Sequence, residues 1–463
     1  MATSKTLHEL MAVGDDEATA IAASGAKPLT YGAFRDLAAL TISTLNGFGI
    51  GRGDRVAIVL PNGPEMATAF VSIASAATAA PLNPGYRTDE FDFYMSDIEA
   101  KALVVDSGST SPAIAVAEKR GITILTLNSD AGNGAGAFTL SVATDAQPAS
   151  KSGPAESDDT ALILHTSGTT SRPKIVPLSH SNLAASASNI AAALALTEND
   201  RALNIMPLFH IHGLMAGTLA PLSRGGSIFC TGGFNALKFF SAMDEAAPTW
   251  YTAVPTMHQA IVSRAHHNRE IIARHKLRFI RSSSSSLPPQ VIAELEAIFD
   301  APVVEAYGMT EASHQMASNP LGGVRKPGTV GRSAGPEVAI MDLDGNILGT
   351  GEVGEIVIRG PNVTGGYENN PKANGEAFTN GWFRTGDQGT IDADGYITIT
   401  GRLKEIINRG GEKVSPREVD EVLMDHPAVM QVVTFAVPHD KLGEDVAAAV
   451  VLREGQQATE REL

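Results

Sequence analysis

Short apolar runs alternate with amphipathic stretches through the first third of the chain, and that alternation leaves few folds open. The runs at 56–60, 102–105 and 161–164 are the length of buried strands. Between them, Thr30 can cap a helix whose apolar face carries Phe34, Leu37, Thr41 and Leu45, and another helical pattern follows Thr88. Strands alternating with helices imply a mostly parallel sheet covered on both faces. The apolar-leaning stretch after Glu65 is broken by Ser and Thr and reads as a buried core helix, too short to span a bilayer. The small-residue segment 132–156 reads as a loose connection. After Val330 the pattern changes to short β-rich pieces, at 337–342, Gly354–Arg359 and 396–400, separated by Asp-Gly turns in DLDGN and DADGY, as in a compact β subdomain.

Composition narrows the partners. Of 463 residues, 35 are basic and 51 acidic, a formal charge of −16, which argues against nucleic acid or anionic membrane as the main partner. Any phosphate must therefore be held by a local site. The single cysteine, Cys230, excludes an internal disulfide framework and a cysteine-rich metal centre, and reads as a small buried apolar residue. The N-terminus lacks the basic start and apolar run of a signal peptide, so a cytoplasmic enzyme without membrane insertion is expected.

The segment ALILHTSGTTSRPKIVPLSH carries the first chemistry. An apolar strand runs into Thr166, Ser167, Gly168, Thr169, Thr170 and Ser171, followed by Lys174. Small hydroxylic residues leave backbone N–H groups accessible and add O–H donors, and the lysine adds a point charge, a combination suited to a triphosphate. A flexible linker would not be bracketed by a buried strand and the Ala-rich helix expected near Ser181. The run does not match the P-loop pattern.

TSGTTSRPK resembles the phosphate-binding loop of the adenylate-forming superfamily, which includes acyl-CoA synthetases, and four further segments fall in that superfamily's order. Where most relatives carry Gly after the lysine, this chain has Ile175, which is expected to cost the loop backbone freedom. PLFHIHG resembles the motif whose histidine, here His210, lies beside the acyl pocket. EAYGMTE resembles the adenine and magnesium motif. The resemblance implies Glu305, Ala306, Tyr307 and Gly308 around the nucleotide, with Tyr307 against adenine, Thr310 on the α-phosphate and Glu311 on Mg2+. Ser285 and Ser286 are the implied nucleotide neighbours upstream. WFRTGD places Asp387 on the ribose hydroxyls, since a carboxylate can accept both O–H donors. GRLKEIINRGGEKVSPREVD resembles the hinge, with Arg402 at ribose or phosphate and Lys404 at the pivot, and Arg409, Gly410 and Gly411 resemble the strip that approaches CoA.

The resemblance implies an N-terminal adenylation domain over 1–401, a hinge at 402–404 and a small mobile α+β domain over 405–463. It also implies a lysine near the C-terminus, in a Pro-Lys-Thr…Gly-Lys setting. Beyond the hinge only Lys413 and Lys441 occur, neither in that context, so an incomplete C-terminal domain that binds ATP yet adenylates poorly is expected, and a C-terminal peroxisomal signal stays open.

A small polar acid needs a pocket of donors, whereas a fatty acid needs an apolar tunnel. Near the expected acyl site stand the run SSSSSL, His210, His212 and His314, groups able to hydrogen-bond a second carboxylate without a bulky cation. PLFHIHGL, EAYGMTEASHQMASNP and IRGPNVTGGY are closely similar to segments of oxalate–CoA ligases of plants and fungi. That resemblance implies MgATP, CoA and oxalate as the reacting set, with Ser284 and His314 on the distal carboxylate. A ligase for another short, medium-chain or aryl acid, or a catalytically silent nucleotide-binding relative, stays open on sequence alone.

Overall fold

A computed structural model describes residues 5–143, 147–166, 172–453 and 455–463. Among these, the strands form four sheets. The first has seven strands, in the order Phe138–Val142, Thr123–Ser129, Ala102–Asp106, Arg55–Val59, Thr78–Pro81, Thr160–Thr166 and Lys174–Ser179. Its inner strands are parallel and its two edge pairs antiparallel. The expected helices cover it. Tyr31–Gly47 starts where the Thr30 hydroxyl accepts from Ala33 N–H, and it buries Phe34, Leu37, Thr41 and Leu45. Pro64–Ala74 is buried from Met66 onward, as a core helix between layers should be.

A nine-stranded sheet lies beside it, with a parallel centre built from Ser227–Cys230, Arg201–Asn204, Trp250–Ala253, Phe279–Ser282 and Val303–Met309. Its core includes Trp250 stacked on Phe279, with ring centroids 5.1 Å apart. Cys230 is buried there, and burial pushes its thiol up to about 12, consistent with an inert packing residue. An antiparallel five-stranded sheet follows, from Glu337–Met341 to Ile397–Arg402. The two Asp-Gly turns take the expected form, with Gly345 and Gly395 at φ 88° and 82°. The fourth sheet is antiparallel, with four strands between Ile407 and Leu452, and the helix Pro416–Met424 packs on its strand Val429–His439. No helix among the described residues is long and apolar enough to cross a membrane.

Two sequence expectations need correction. The segment 132–156 is more than a connection, because Phe138–Val142 closes one edge of the seven-stranded sheet. The strand–loop–helix reading of the Ser/Thr-rich segment omitted a strand: Lys174–Ser179 returns antiparallel to Thr160–Thr166 before the helix His180–Ala193 begins. Ile175 therefore sits in a strand paired with His165, its side chain in the core, where a β-branched residue fits the pleat. Replacing it with the glycine that most relatives carry (Ile175→Gly) should lower stability by about 2–5 kcal/mol through lost burial and added backbone freedom. Urea denaturation reads this directly, and an unchanged midpoint would remove Ile175 from the core.

Candidate active site

A parallel sheet covered on both faces exposes chemistry only at its strand ends, and the carboxyl ends are where ligands bind in such folds. The candidate residues stand there. His210 and His212 follow the strand Arg201–Asn204, Ser284 follows Phe279–Ser282, and Thr310 follows Val303–Met309. A cavity of about 970 Å3 opens beside Ser284, lined by Ser284, Ser285, Ser286, Glu305, Ala306, Tyr307, Gly308, Asp387 and Arg402, whereas His210, His212 and Thr310 lie outside that lining. Its far wall comes from 416–434, including Arg417, Asp420 and Thr434.

The backbone is shaped to hold these groups. Ser284 and His314 occupy the left-handed region at φ 75° and 94°, which costs residues with a Cβ about 1–3 kcal/mol each and is found mainly at functional sites. Gly308 is required by close approach, because a Cβ there would lie 2.0 Å from the His314 carbonyl oxygen.

Among the residues expected around the nucleotide, the buried Asp387 carboxylate accepts from the Tyr307 hydroxyl and pairs with Arg402 Nε at 2.9 Å. Burial, then the Asp387 charge, holds the Tyr307 phenol well above its ordinary value, so it stays a donor. Glu311 is 5% exposed and accepts from the Tyr367 hydroxyl at 2.8 Å. Lys174 Nζ lies 4.4 Å from the centre of the Tyr367 ring, a cation–π contact. Lysine, tyrosine and glutamate thus form one connected group. Tyr367 closes the segment IRGPNVTGGY, and a tyrosine in a Gly-rich turn carries no sequence signal of the carboxylate it will meet.

The residues expected on the acyl side form a histidine stack. His212 and His314 lie with ring centroids 4.8 Å apart and an interplanar angle of 23°. His212 Nδ1 is 3.0 Å from Ser284 Oγ, and its Nε2 is 2.6 Å from Thr252 Oγ1. Burial, reinforced by neighbouring cationic and imidazole groups, holds both rings well below the ordinary histidine value, so both are neutral near pH 7. His314 Nε2 is buried with no hydrogen-bond partner. His210 caps the turn Ile211–Leu214, its Nδ1 accepting from His212 N–H at 3.3 Å. Its ring keeps an exposed edge, yet surrounding protein desolvates it enough to lower its pKa. Sequence reasoning expected no cation here. The structure places one: Arg281 is fully buried, with Nη1 3.3 Å from both His212 Nε2 and Thr252 Oγ1, and Nη2 3.2 Å from Gln315 Oε1.

Other expected residues stand apart. Lys404 is exposed in the turn after Ile397–Arg402. Arg409, Gly410 and Gly411 form an exposed turn away from the cavity lining, where Arg409 Nε pairs with Asp445 at 2.6 Å. Thr166 ends its strand opposite Lys174, whereas Ser167, Gly168, Thr169, Thr170 and Ser171 lie outside the described residues. Before the loop, His165 Nε2 meets Asp97 at 3.0 Å; beyond it, Arg172 pairs with the same carboxylate.

Glu311 is also the residue that could hold a divalent cation. Among the described residues no group of three or more His, Cys, Asp or Glu could do so. One buried carboxylate beside a hydroxyl suits a hard cation that takes most of its ligands from water and phosphate. Burial raises the Glu311 pKa, and the Tyr367 hydrogen bond opposes that rise. Tyr367→Phe removes the opposing contact, so Glu311 will ionise at higher pH. The acid limb of the activity–pH profile should shift upward, with the alkaline limb unmoved. An acid limb that stays in place would detach Glu311 from the activity.

Known proteins match this arrangement along its length. A family model for AMP-binding enzymes matches residues 11–368, and one for the AMP-binding enzyme C-terminal domain matches 418–463. The chain is 47% identical to an oxalate–CoA ligase of Arabidopsis thaliana, covering 96% of this chain and 87% of the relative. It is 44% identical to an oxalate–CoA ligase of Saccharomyces cerevisiae, covering 89% and 80%. The structure of ATP-bound MatB from Rhodopseudomonas palustris superposes with a TM-score of 0.87 at 31% identity, over 99% of this chain and 90% of that one. The chain belongs to the AMP-binding enzyme family.

Proposed function

We propose that this family member joins oxalate to CoA at the expense of ATP, releasing AMP and pyrophosphate. The observation that carries the reading is the acyl recess. Ser284 lines the cavity, His212 bonds to its hydroxyl from behind, and His314 stacks on His212, so polar groups stand where an aliphatic acid would need apolar walls; the buried His314 Nε2 lacks a partner. A second carboxylate satisfies that nitrogen and the Ser284 hydroxyl, whereas a methyl group leaves both unpaired in a desolvated site. The oxalate–CoA ligases of Arabidopsis thaliana and Saccharomyces cerevisiae, similar to this chain over most of its length, support the same acid.

The reaction follows in two steps. One carboxylate oxygen attacks the α-phosphorus of ATP and the bond to pyrophosphate breaks, giving oxalyl adenylate. Lys174 and Thr310 stabilise charge on the phosphate oxygens, and Asp387 holds the ribose hydroxyls. Mg2+ would be held by Glu311 and would supply charge neutralisation on the phosphates. The segment 405–463 then turns about Lys404, the CoA thiol attacks the acyl carbonyl, and AMP leaves with its proton-accepting phosphate. Arg409, Gly410 and Gly411 serve CoA in that second pose, which accounts for their distance from the cavity.

A CoA-consumption or pyrophosphate-exchange assay across oxalate, malonate, acetate and medium-chain acids tests the reading; no preference for oxalate sinks it. Within that assay, Ser284→Ala and His314→Ala should each raise the KM for oxalate about tenfold or more, the cost of stranding a charge-assisted bond, with ATP binding unchanged.

A further inference from the structure

A buried cation stands behind the acyl recess without a counter-ion. Arg281 lies on the strand Phe279–Ser282, its side chain on the opposite face from Ser282, and it is 0% exposed. Each contact of its terminal nitrogens is with a neutral group: Thr252 Oγ1, His212 Nε2 and Gln315 Oε1. Its Nε has no partner. Among the described residues no carboxylate forms an ion pair with it, unlike Arg278 three positions earlier, which pairs with Asp200 at 3.0 Å. Burial pulls its pKa down to about 9, which leaves it charged at neutral pH. Holding a charge in this state costs several kcal/mol of stability unless an anion compensates it.

The hydrogen bonds also settle a tautomer. A guanidinium donates and never accepts, so the nitrogen that faces Arg281 Nη1, His212 Nε2, must be an acceptor. The Thr252 hydroxyl, 2.6 Å away, then donates to the same Nε2 while accepting from Arg281. The ring proton is therefore assigned to Nδ1, from the network, and it points at Ser284 Oγ 3.0 Å away. With its oxygen occupied as an acceptor, Ser284 keeps its own O–H to donate into the cavity that it lines.

We propose that Arg281 is the positioning and specificity residue of the acyl recess: it locks His212 and Ser284 as donors, and its unpaired charge is completed by the second carboxylate of the acid. The role rests on the reading above that the acid carries such a carboxylate. Because the guanidinium acts through Thr252, His212 and Gln315, it contributes to recognition and takes no part in bond-making.

Acid pairs matched in carbon number, oxalate against acetate and malonate against propionate, isolate the effect. The ratio of kcat/KM within each pair cancels any difference in overall rate between variants. Arg281→Gln keeps donors and removes the charge. Gln315→Glu leaves the arginine in place and supplies a counter-ion 3.2 Å from Nη2, at the cost of the amide's bond to the Ala334 carbonyl. Both should lower the diacid-to-monoacid ratio by about tenfold or more. The loss should fall on KM for the diacid, with AMP affinity unchanged and the ratio partly restored in Arg281→Lys. The 15N shifts of the His212 ring should report protonation at Nδ1. A wild type indifferent to the second carboxylate overturns the substrate reading and this role together. A strong wild-type preference left intact by both variants, equal losses for diacid and monoacid, or an Nε2-protonated His212 overturns the role of Arg281 alone.

Discussion

The architecture depends on one constraint: both large sheets are parallel at their centres and covered on both faces, so their strand ends are the places left for chemistry. In the nine-stranded sheet, neighbouring strands end side by side, which brings together segments separated by a hundred residues of chain. His212, Thr252, Ser284 and Thr310 come from four neighbouring strands or the segments that follow them: Thr252 from within its strand, Ser284 and Thr310 just past their strand ends, and His212 in the helical turn after Arg201–Asn204. Their spacing is set by the distance between adjacent strands, roughly 5 Å, and each residue needs only a short loop to reach its neighbour. The strained φ values at Ser284 and His314 become affordable because the ladders on either side over-determine the backbone.

Polar groups at these ends hold one another in pairs. Asp387 is gripped by Tyr307 and Arg402, and Glu311 by Tyr367. Each carboxylate is buried and would be costly alone, yet each keeps lone pairs to offer a ligand. The grips come from different elements: Tyr307 from the nine-stranded sheet, Asp387 and Arg402 from the five-stranded one. A nucleotide held at Asp387 would therefore report the registry of the two sheets, which ties the site's integrity to the packing of whole layers.

Much of the scaffold and most of the reactive groups could be read from sequence because their signals are local. Thr30 and the i, i+3, i+7 face from Phe34 mark a helix on their own, and Asp-Gly pairs mark their turns. Motif order singles out Asp387 and Ser284, which line the cavity, and Glu311, which is buried against Tyr367. What escaped was set by contacts distant in sequence. Arg281 reads as an ordinary strand residue, and only the fold shows that its side-chain hydrogen-bond partners, His212, Thr252 and Gln315, are neutral. Tyr367 lies 56 residues from the glutamate it holds. The strand Lys174–Ser179 contains Pro177, a residue that argues against a central strand; here it sits on the sheet's edge, where proline is tolerated.

The charge distribution gives the acyl recess its logic. A chain of formal charge −16 repels a small dianion at long range, so attraction must be built locally and away from screening water. Protonated histidines would do this only at acid pH, and burial has removed that option from His212 and His314. An arginine remains charged despite full desolvation. The neutral donors set geometry, and the buried charge sets the sign of what fits.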